Sequence, residues 1–323
     1  MIQGPSSSPP PEMPHVDLCK FPNGDFSRAE TAGRDLSWIK RGSQKRAGAW
    51  KRWGIFFLFT TLLGISPIEA GEPVLLRPES HSLANLAFAP GERLAYDITY
   101  LGAKAGIAVM EVLEKTRLKG REVYHILSTA QSNDFVSLFY PVDDRIESYV
   151  DAEGIYSHFI KIKQHQGKKR REKVISFDQV QHRAVQYKDD KEKVFEIPPQ
   201  VQDSLSSLYF FRVKDSIDVG RSVFINVHES EKNWLLEIRG EARERVTTPV
   251  GTFDTIKVRA LVQYEGIFMD KGDVFIWFTE DEKRIPVMVQ SKVKIGSITA
   301  VLSSRREGDR LSHTVLSQME SQP

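Results

Sequence analysis

Arg93-Leu94-Ala95-Tyr96-Asp97-Ile98-Thr99-Tyr100 is the stretch that decides the fold. Leu94, Tyr96, Ile98 and Tyr100 fall on one side of an extended chain, and Ala95, Asp97 and Thr99 fall on the other. That two-residue period belongs to a strand with one face against a core. Gly102-Ala103-Lys104-Ala105-Gly106 then turns the chain into Ile107–Glu114, and Lys119-Gly120 turns it into Val123–Gln131. Strands joined by turns this short read as an antiparallel meander.

Downstream the pattern repeats with two interruptions. Asn133 caps a short helix over about 133–140 that carries Phe135, Val136, Leu138 and Phe139, and Pro141 stops it. The meander resumes at Asp144–Val150, turns at Asp151-Ala152-Glu153-Gly154, and continues through Ile155–Gln164. Gln166-Gly167-Lys168-Lys169 turns it again into Glu172–Phe177, followed by His182–Tyr187 and Lys193–Ile197. The second interruption is a helix over about 203–214 with Asp203 as its N-cap. Leu205, Leu208, Tyr209 and Arg212 form one stripe while Phe210 and Phe211 project elsewhere, so the helix should be buried on more than one side. Strands return at Val219–Val227, Trp234–Glu244, Phe253–Tyr264, Asp273–Phe278, Pro286–Lys294 and Ile298–Leu302, and residues 304–323 form a polar tail. No βαβ spacing occurs. The fold class is mainly β: a large curved antiparallel sheet or incomplete β-barrel, with one buried helix and one short one.

Upstream lies a different kind of segment. Lys51-Arg52 precede the apolar run Ile55–Ile65, then Pro67, then Ala70-Gly71. A basic flank, a short apolar core, a helix breaker and a small residue make residues 51–70 a signal peptide, with cleavage after Ala70 and Gly71 as the mature N-terminus. The run is shorter than the ~20 apolar residues of a membrane span. Residues 1–50, with Ser6-Ser7-Ser8-Pro9-Pro10-Pro11, read as a disordered leader or as the product of a start assigned too far upstream. An uncleaved anchor with a cytoplasmic tail is the alternative, and residues 71–87 are a linker. Nine of the 45 Lys/Arg and six of the 43 Asp/Glu precede Gly71, which leaves the mature chain at a formal net charge of −1. The single cysteine, Cys19, also lies there, so no disulfide or lipidated cysteine follows the signal. The expected location is the periplasm or another exported compartment, with the membrane touched only through the signal segment if it stays uncleaved.

Four segments carry a family resemblance. They are Phe88-Ala89-Pro90-Gly91-Glu92-Arg93-Leu94-Ala95-Tyr96; Asp203 through Arg212; Thr248-Pro249-Val250-Gly251-Thr252-Phe253-Asp254-Thr255-Ile256-Lys257-Val258; and Asp273 through Val287. In this order they resemble the bacterial exported DUF3108 family, a domain of unknown function, over about Leu86–Ser303. The resemblance implies a single β-rich envelope domain, 88–303, and brings no catalytic residues. Trp277–Val287 is also similar to a pattern of the periplasmic lipoprotein carriers, which fold a curved sheet around helices and hold acyl chains. That is an analogy of fold.

Chemistry-bearing motifs are scarce. His81, His125, His158, His165, His182, His228 and His313 show no metal-ligand spacing, and no metal or cofactor is expected. G-x-S-x-G and glycine-rich phosphate loops are missing, which argues against an enzyme. Lys168-Lys169-Arg170-Arg171 reads as a solvated hairpin turn rather than a phosphate or headgroup site, and the near-neutral mature chain argues against nucleic acid. The aromatic residues of 203–214 and of Phe135–Tyr140 stand out, either as core or as the lining of a lipid-sized hollow. The expectation is a non-enzymatic envelope protein holding an apolar or amphipathic ligand against Leu205, Tyr209, Phe210 and Trp277. A module binding another envelope protein is the alternative, and an enzyme of envelope polysaccharide or lipid is the second.

Overall fold

A computed structural model describes residues 85–188, 191–214, 217–264, 267–292 and 296–309. The leader 1–50, the signal 51–70 with its Ala70/Gly71 junction, nearly all of the linker and the end of the tail lie outside the described residues. The alternation quoted above forms β1 (Arg93–Tyr100), with Leu94, Tyr96 and Ile98 buried and the intervening side chains half-exposed. β2 (Ala103–Val112), β3 (Thr116–Leu118) and β4 (Arg121–Ser132) follow, then α1 (Asp134–Ser137). β5 (Val142–Asp151), β6 (Ser157–Gln166), β7 (Lys169–Asp178), β8 (Arg183–Lys188) and β9 (Lys191–Glu196) lead to α2 (Ser206–Val213). The last six strands are β10 (Ser222–Glu229), β11 (Lys232–Thr248), β12 (Gly251–Tyr264), β13 (Ile267–Thr279), β14 (Pro286–Lys292) and β15 (Ser297–Arg306).

All of them join one sheet whose pairings are antiparallel. Its order is β10-β11-β12-β13-β14-β15-β1-β2-β4-β5-β6-β7-β8-β9, with β3 paired to β4 alone. The first strand therefore lies mid-sheet against the last, in a register that runs from Arg93↔Arg306 to Tyr100↔Ile298. The sheet does not close, because its path ends at β9 and β10. Side chains and a short backbone segment bridge the gap. Lys173 of β7 forms a buried ion pair with Glu229 of β10. Gln186 and Lys193 bond Glu231 at 3.0 and 2.7 Å, and the Asn233 amide donates to the Glu196 carbonyl at 2.8 Å. Gln202 pairs with β10 through its backbone, donating to Asn226 O and accepting from His228 N at 2.8 and 2.9 Å.

Helix α2 fills the concavity. Leu205 and Tyr209 pack into an apolar cluster drawn from β1, β2, β4 to β8, β14 and β15, with Val246 of β11 and Trp277 of β13. Phe211 packs into a second cluster built on β10 to β13, and Leu208 and Phe210 touch both. A helix apolar nearly all round is thus wedged between the two halves of the sheet, as its sequence demanded.

Three expectations change in detail. The buried helix begins at Ser206 rather than at Asp203, although Asp203 still serves its start: Oδ1 accepts from the amides of Leu205 and Ser206, both at 2.7 Å. The strand expected from Val219 starts at Ser222, while Val219 makes a parallel bridge to Gly240. Only glycine fits there, since a Cβ on Gly240 would meet Asp218 O at 2.2 Å. Finally, Phe135, Leu138 and Phe139 are neither core nor the lining of a hollow; they are 70%, 78% and 75% exposed. A single helical turn at the end of the sheet has too little length to fold back over the core, so these side chains point away from it.

The bridge between the sheet's edges can be tested. Removing one partner of a buried ion pair typically costs about 3–5 kcal/mol because the other charge is left without compensation. Lys173→Met should lower unfolding stability by about that amount, and adding Glu229→Leu should restore most of it. Urea titrations showing a loss below about 0.5 kcal/mol, the size of an ordinary surface change, would exclude this bridge as a stability determinant.

Candidate functional site

The polar centre of the interior is Arg212 on α2. Its guanidinium lies in a bidentate pair with Glu92, Nη1 to Oε1 at 2.7 Å and Nη2 to Oε2 at 2.8 Å. Nη2 also donates to the Ala87 carbonyl at 3.0 Å, and Nε donates to the Lys283 carbonyl at 3.1 Å. Phe88 and Tyr209 present ring faces to it at 5.5 and 5.3 Å. Burial alone would lower the affinity of this group for its proton, yet the charge and hydrogen bonds of Glu92 hold its pKa above the ordinary value. One side chain so fixes α2 to the segment before β1 and to the loop before β14. The helical stripe contained Arg212, but Glu92 lies 120 residues away and no local signal joins them.

Neighbouring polar groups are also positioned by the fold. Tyr96 donates to Pro286 O at 2.9 Å, whereas Tyr209 Oη is buried without a hydrogen-bond partner. Burial pushes both phenols up, so both stay protonated at neutral pH. Asp203 Oδ2 accepts from Ser148 and Ser157 at 2.5 and 2.6 Å, which ties the start of α2 to β5 and β6. Its carboxyl is pushed up by burial in spite of these bonds.

Beside this centre lies a cavity of about 290 Å³. Phe88, Leu94 and Ile285 form its apolar wall, and its charged lining is mixed, Lys283, Arg305 and Arg306 with Glu92, Glu307 and Asp309, of which Lys283 and Glu307 pair at 2.6 Å. The volume is just below the ~300–1,000 Å³ of small-molecule sites. Leu205, Tyr209 and Trp277 are 6%, 0% and 4% exposed and lie in the apolar cluster, with Phe210 half-buried against it. None of these four lines the cavity; Phe88, which does, packs edge-on to Tyr209 at 4.9 Å. Trp277 donates its indole N–H to Glu244 at 2.7 Å.

Two histidine–carboxylate pairs that the sequence spacing concealed form elsewhere through strand pairing. His125 meets Glu147 at 3.0 Å, and His158 meets Asp151 at 2.9 Å. Both carboxylates also bond arginines, Arg145 and Arg121 respectively. Among the described residues no group of three or more His, Cys, Asp or Glu is placed to hold a metal. The hydrogen bond from His125, helped by Arg145, holds Glu147 down at about 2, against an ordinary value of 4.5.

A sheet this large, curved round a helix but unclosed, defines a β-barrel-like protein. The sequence matches DUF3108, a protein family of unknown function, over residues 95–303. That is more than half of the chain, which therefore belongs to the DUF3108 family. Among solved structures it is similar to a β-barrel-like protein of the DUF1849 domain of unknown function from Brucella abortus. The two share 12% identity over 69% of this chain and 100% of that one, with a TM-score of 0.48. A protein with a YmcC-like fold from Bacteroides fragilis shares 12% identity over 68% of this chain and 99% of that one, with a TM-score of 0.32. No curated protein matches the sequence.

Arg212→Met should destabilise the fold by about 3–5 kcal/mol by leaving Glu92 buried and unpaired. Arg212→Lys should recover little of it, since one ammonium cannot reproduce the planar fork that spans Glu92 and two carbonyls. A lysine variant as stable as the parent in urea would refute that geometry. The Glu147 carboxyl is more acidic folded than unfolded, so its stabilisation is complete above about pH 4.5 and fades as pH falls toward about 2. Acid titrations should therefore show a shallower loss for Glu147→Gln than for the parent across that window.

Proposed function

We propose that this protein is an exported, non-enzymatic binding protein of the cell envelope that holds an amphipathic, lipid-like ligand. The observation that carries the reading is the cavity at Phe88, Leu94 and Ile285, an apolar wall next to a charged rim of Lys283, Arg305 and Arg306 with Glu92, Glu307 and Asp309. An apolar chain with a polar head complements that arrangement. The ligand contact is thus reassigned from Leu205, Tyr209, Phe210 and Trp277 to the segment before β1 and the end of β15, with Tyr209 packed against Phe88 of the wall. Export rests on the basic, apolar and small-residue order of residues 51–70.

Docking of another envelope protein by strand addition is the weaker reading. The edge at β9 is six residues long, is partly covered by Asn233 and Glu231, and carries exposed Lys191, Glu192 and Lys193, charges of the kind that blunt an edge. Gln202 covers part of the other edge at β10.

Native mass spectrometry of the protein recovered gently from the envelope tests the proposal. A bound acyl-containing species is expected, and Ala89→Phe, which places a ring at the cavity, should reduce its occupancy while the fold persists. Material that carries no such species and binds no fluorescent fatty acid would end this reading.

A further inference from the structure

The exposed aromatic turn and the basic hairpin, separate features of the sequence, meet at one end of the sheet. β1–β2, β4–β5 and β6–β7 are all connected there, and β2, β4, β5 and β6 are consecutive neighbours. Gly106 lies opposite Ser132, and Val142 lies opposite Gln166. Helix α1 forms the β4–β5 connection, and the Gly167 amide of the β6–β7 turn donates to Pro141 O at 2.7 Å. The hairpin carrying Lys168 in its turn and Lys169 and Arg170 at the start of β7 is thereby tied to the segment that presents Phe135, Leu138 and Phe139.

The arrangement is held rigidly. Asn133 Oδ1 caps Val136 N at 2.9 Å, and its amide group donates to Lys104 O at 2.7 Å. Ser132 and Ser137 hydroxyls bond at 2.7 Å, and Val142 N donates to Ser132 at 2.9 Å. Phe135 and Phe139 sit edge-on, with ring centroids 5.7 Å apart. Leu101 in the β1–β2 turn adds a fourth large apolar side chain at this end, 63% exposed. Lys104 and Lys163 are neutralised by Asp97 and Glu172, but among the described residues Lys168, Lys169 and Arg170 form no ion pair. Asp134 is the first residue of α1, and Asp143 in β5 pairs across to Gln131, which bonds it at 3.3 Å.

We propose that this end of the sheet docks on the surface of an anionic phospholipid membrane, with Phe135, Leu138 and Phe139 entering the interface and Lys168, Lys169 and Arg170 against the headgroups. A grouped set of exposed apolar side chains marks an interaction site. Unneutralised basic residues beside it select an anionic surface, and stable attachment to a membrane characteristically combines an apolar with a polybasic contact. The cavity lies at the other end of β1, near Leu94 and Arg306, so docking is independent of ligand binding. It also extends the membrane contact beyond the apolar segment 55–65.

A site-specific reporter separates this contact from any contribution of that segment. The full chain carrying Cys19→Ser and Leu138→Cys, labelled with an environment-sensitive fluorophore, is mixed with vesicles of phosphatidylcholine containing about one-third phosphatidylglycerol. A blue shift, with quenching by lipids spin-labelled in the acyl chains, is expected there and not with phosphatidylcholine alone. The same label at Val180→Cys, in the β7–β8 turn at the opposite end, should stay in water. Each basic residue near an anionic surface contributes about fivefold, so Lys168→Gln with Lys169→Gln should weaken partitioning by roughly tenfold or more. Phe135→Ser with Phe139→Ser should abolish quenching. No response at position 138, an equal response at position 180, or insensitivity to both double variants would overturn the proposal. A blue shift that depends on protein concentration without vesicles would overturn it too, because a second copy of the chain would then be the occupant.

Discussion

Burying a guanidinium at the centre of a β-sheet protein demands that it be fully compensated, and the remainder of this structure is arranged around meeting that demand. The desolvation penalty for each charge of such a pair is several kcal/mol, recovered only when geometry and accessory hydrogen bonds are good. Arg212 meets both conditions by reaching two separate stretches of chain: the start of the domain at Ala87 and Glu92, and the loop at Lys283. An apolar residue on α2 would fill the same space without choosing among rotations of the helix about its axis. With arginine, one rotation satisfies every donor contact, and that rotation sends Tyr209 into one cluster and Phe211 into the other.

The seam obeys a related logic. Backbone ladders hold a sheet together regardless of side chain, whereas the β7–β10 junction depends on Lys173 and Glu229, with Gln186, Lys193 and Asn233 outside them. Lys173, Gln186, Gln202, His228 and Glu229 are all buried there, where ordinary strand pairing stops. Asp203 serves a comparable purpose at the start of α2, supplying one oxygen to the helix and the other to serines on two strands. The interior therefore combines an apolar bulk with a few fully directed contacts.

Much of the sheet was legible because its determinants are local. The Leu94-Tyr96-Ile98 alternation, the glycine-containing turns and the all-round apolar helix each require only nearby residues, and each reappears in the structure. The Asn133 cap was legible for the same reason. Glu92 with Arg212, Lys173 with Glu229, and His125 with Glu147 were not, because those partners are set by register and curvature. Side-chain exposure at α1 was misread because composition marks Phe135 and Phe139 as core candidates but carries no information on their place at the end of the sheet. The cavity escaped for a similar reason: Phe88, Ile285 and Arg305 come from three distant segments.

The placement of the first strand beside the last has a consequence for how the chain comes to be made. Synthesis proceeds from the N-terminus, so β1 and β2 can form their hairpin early, but the other side of β1 has no partner until β15 is released some 200 residues later. For that interval a strand destined for mid-sheet presents bare amides and carbonyls, the condition under which strands capture the wrong neighbour. Completion of the sheet is therefore deferred until β15 is available to pair with β1.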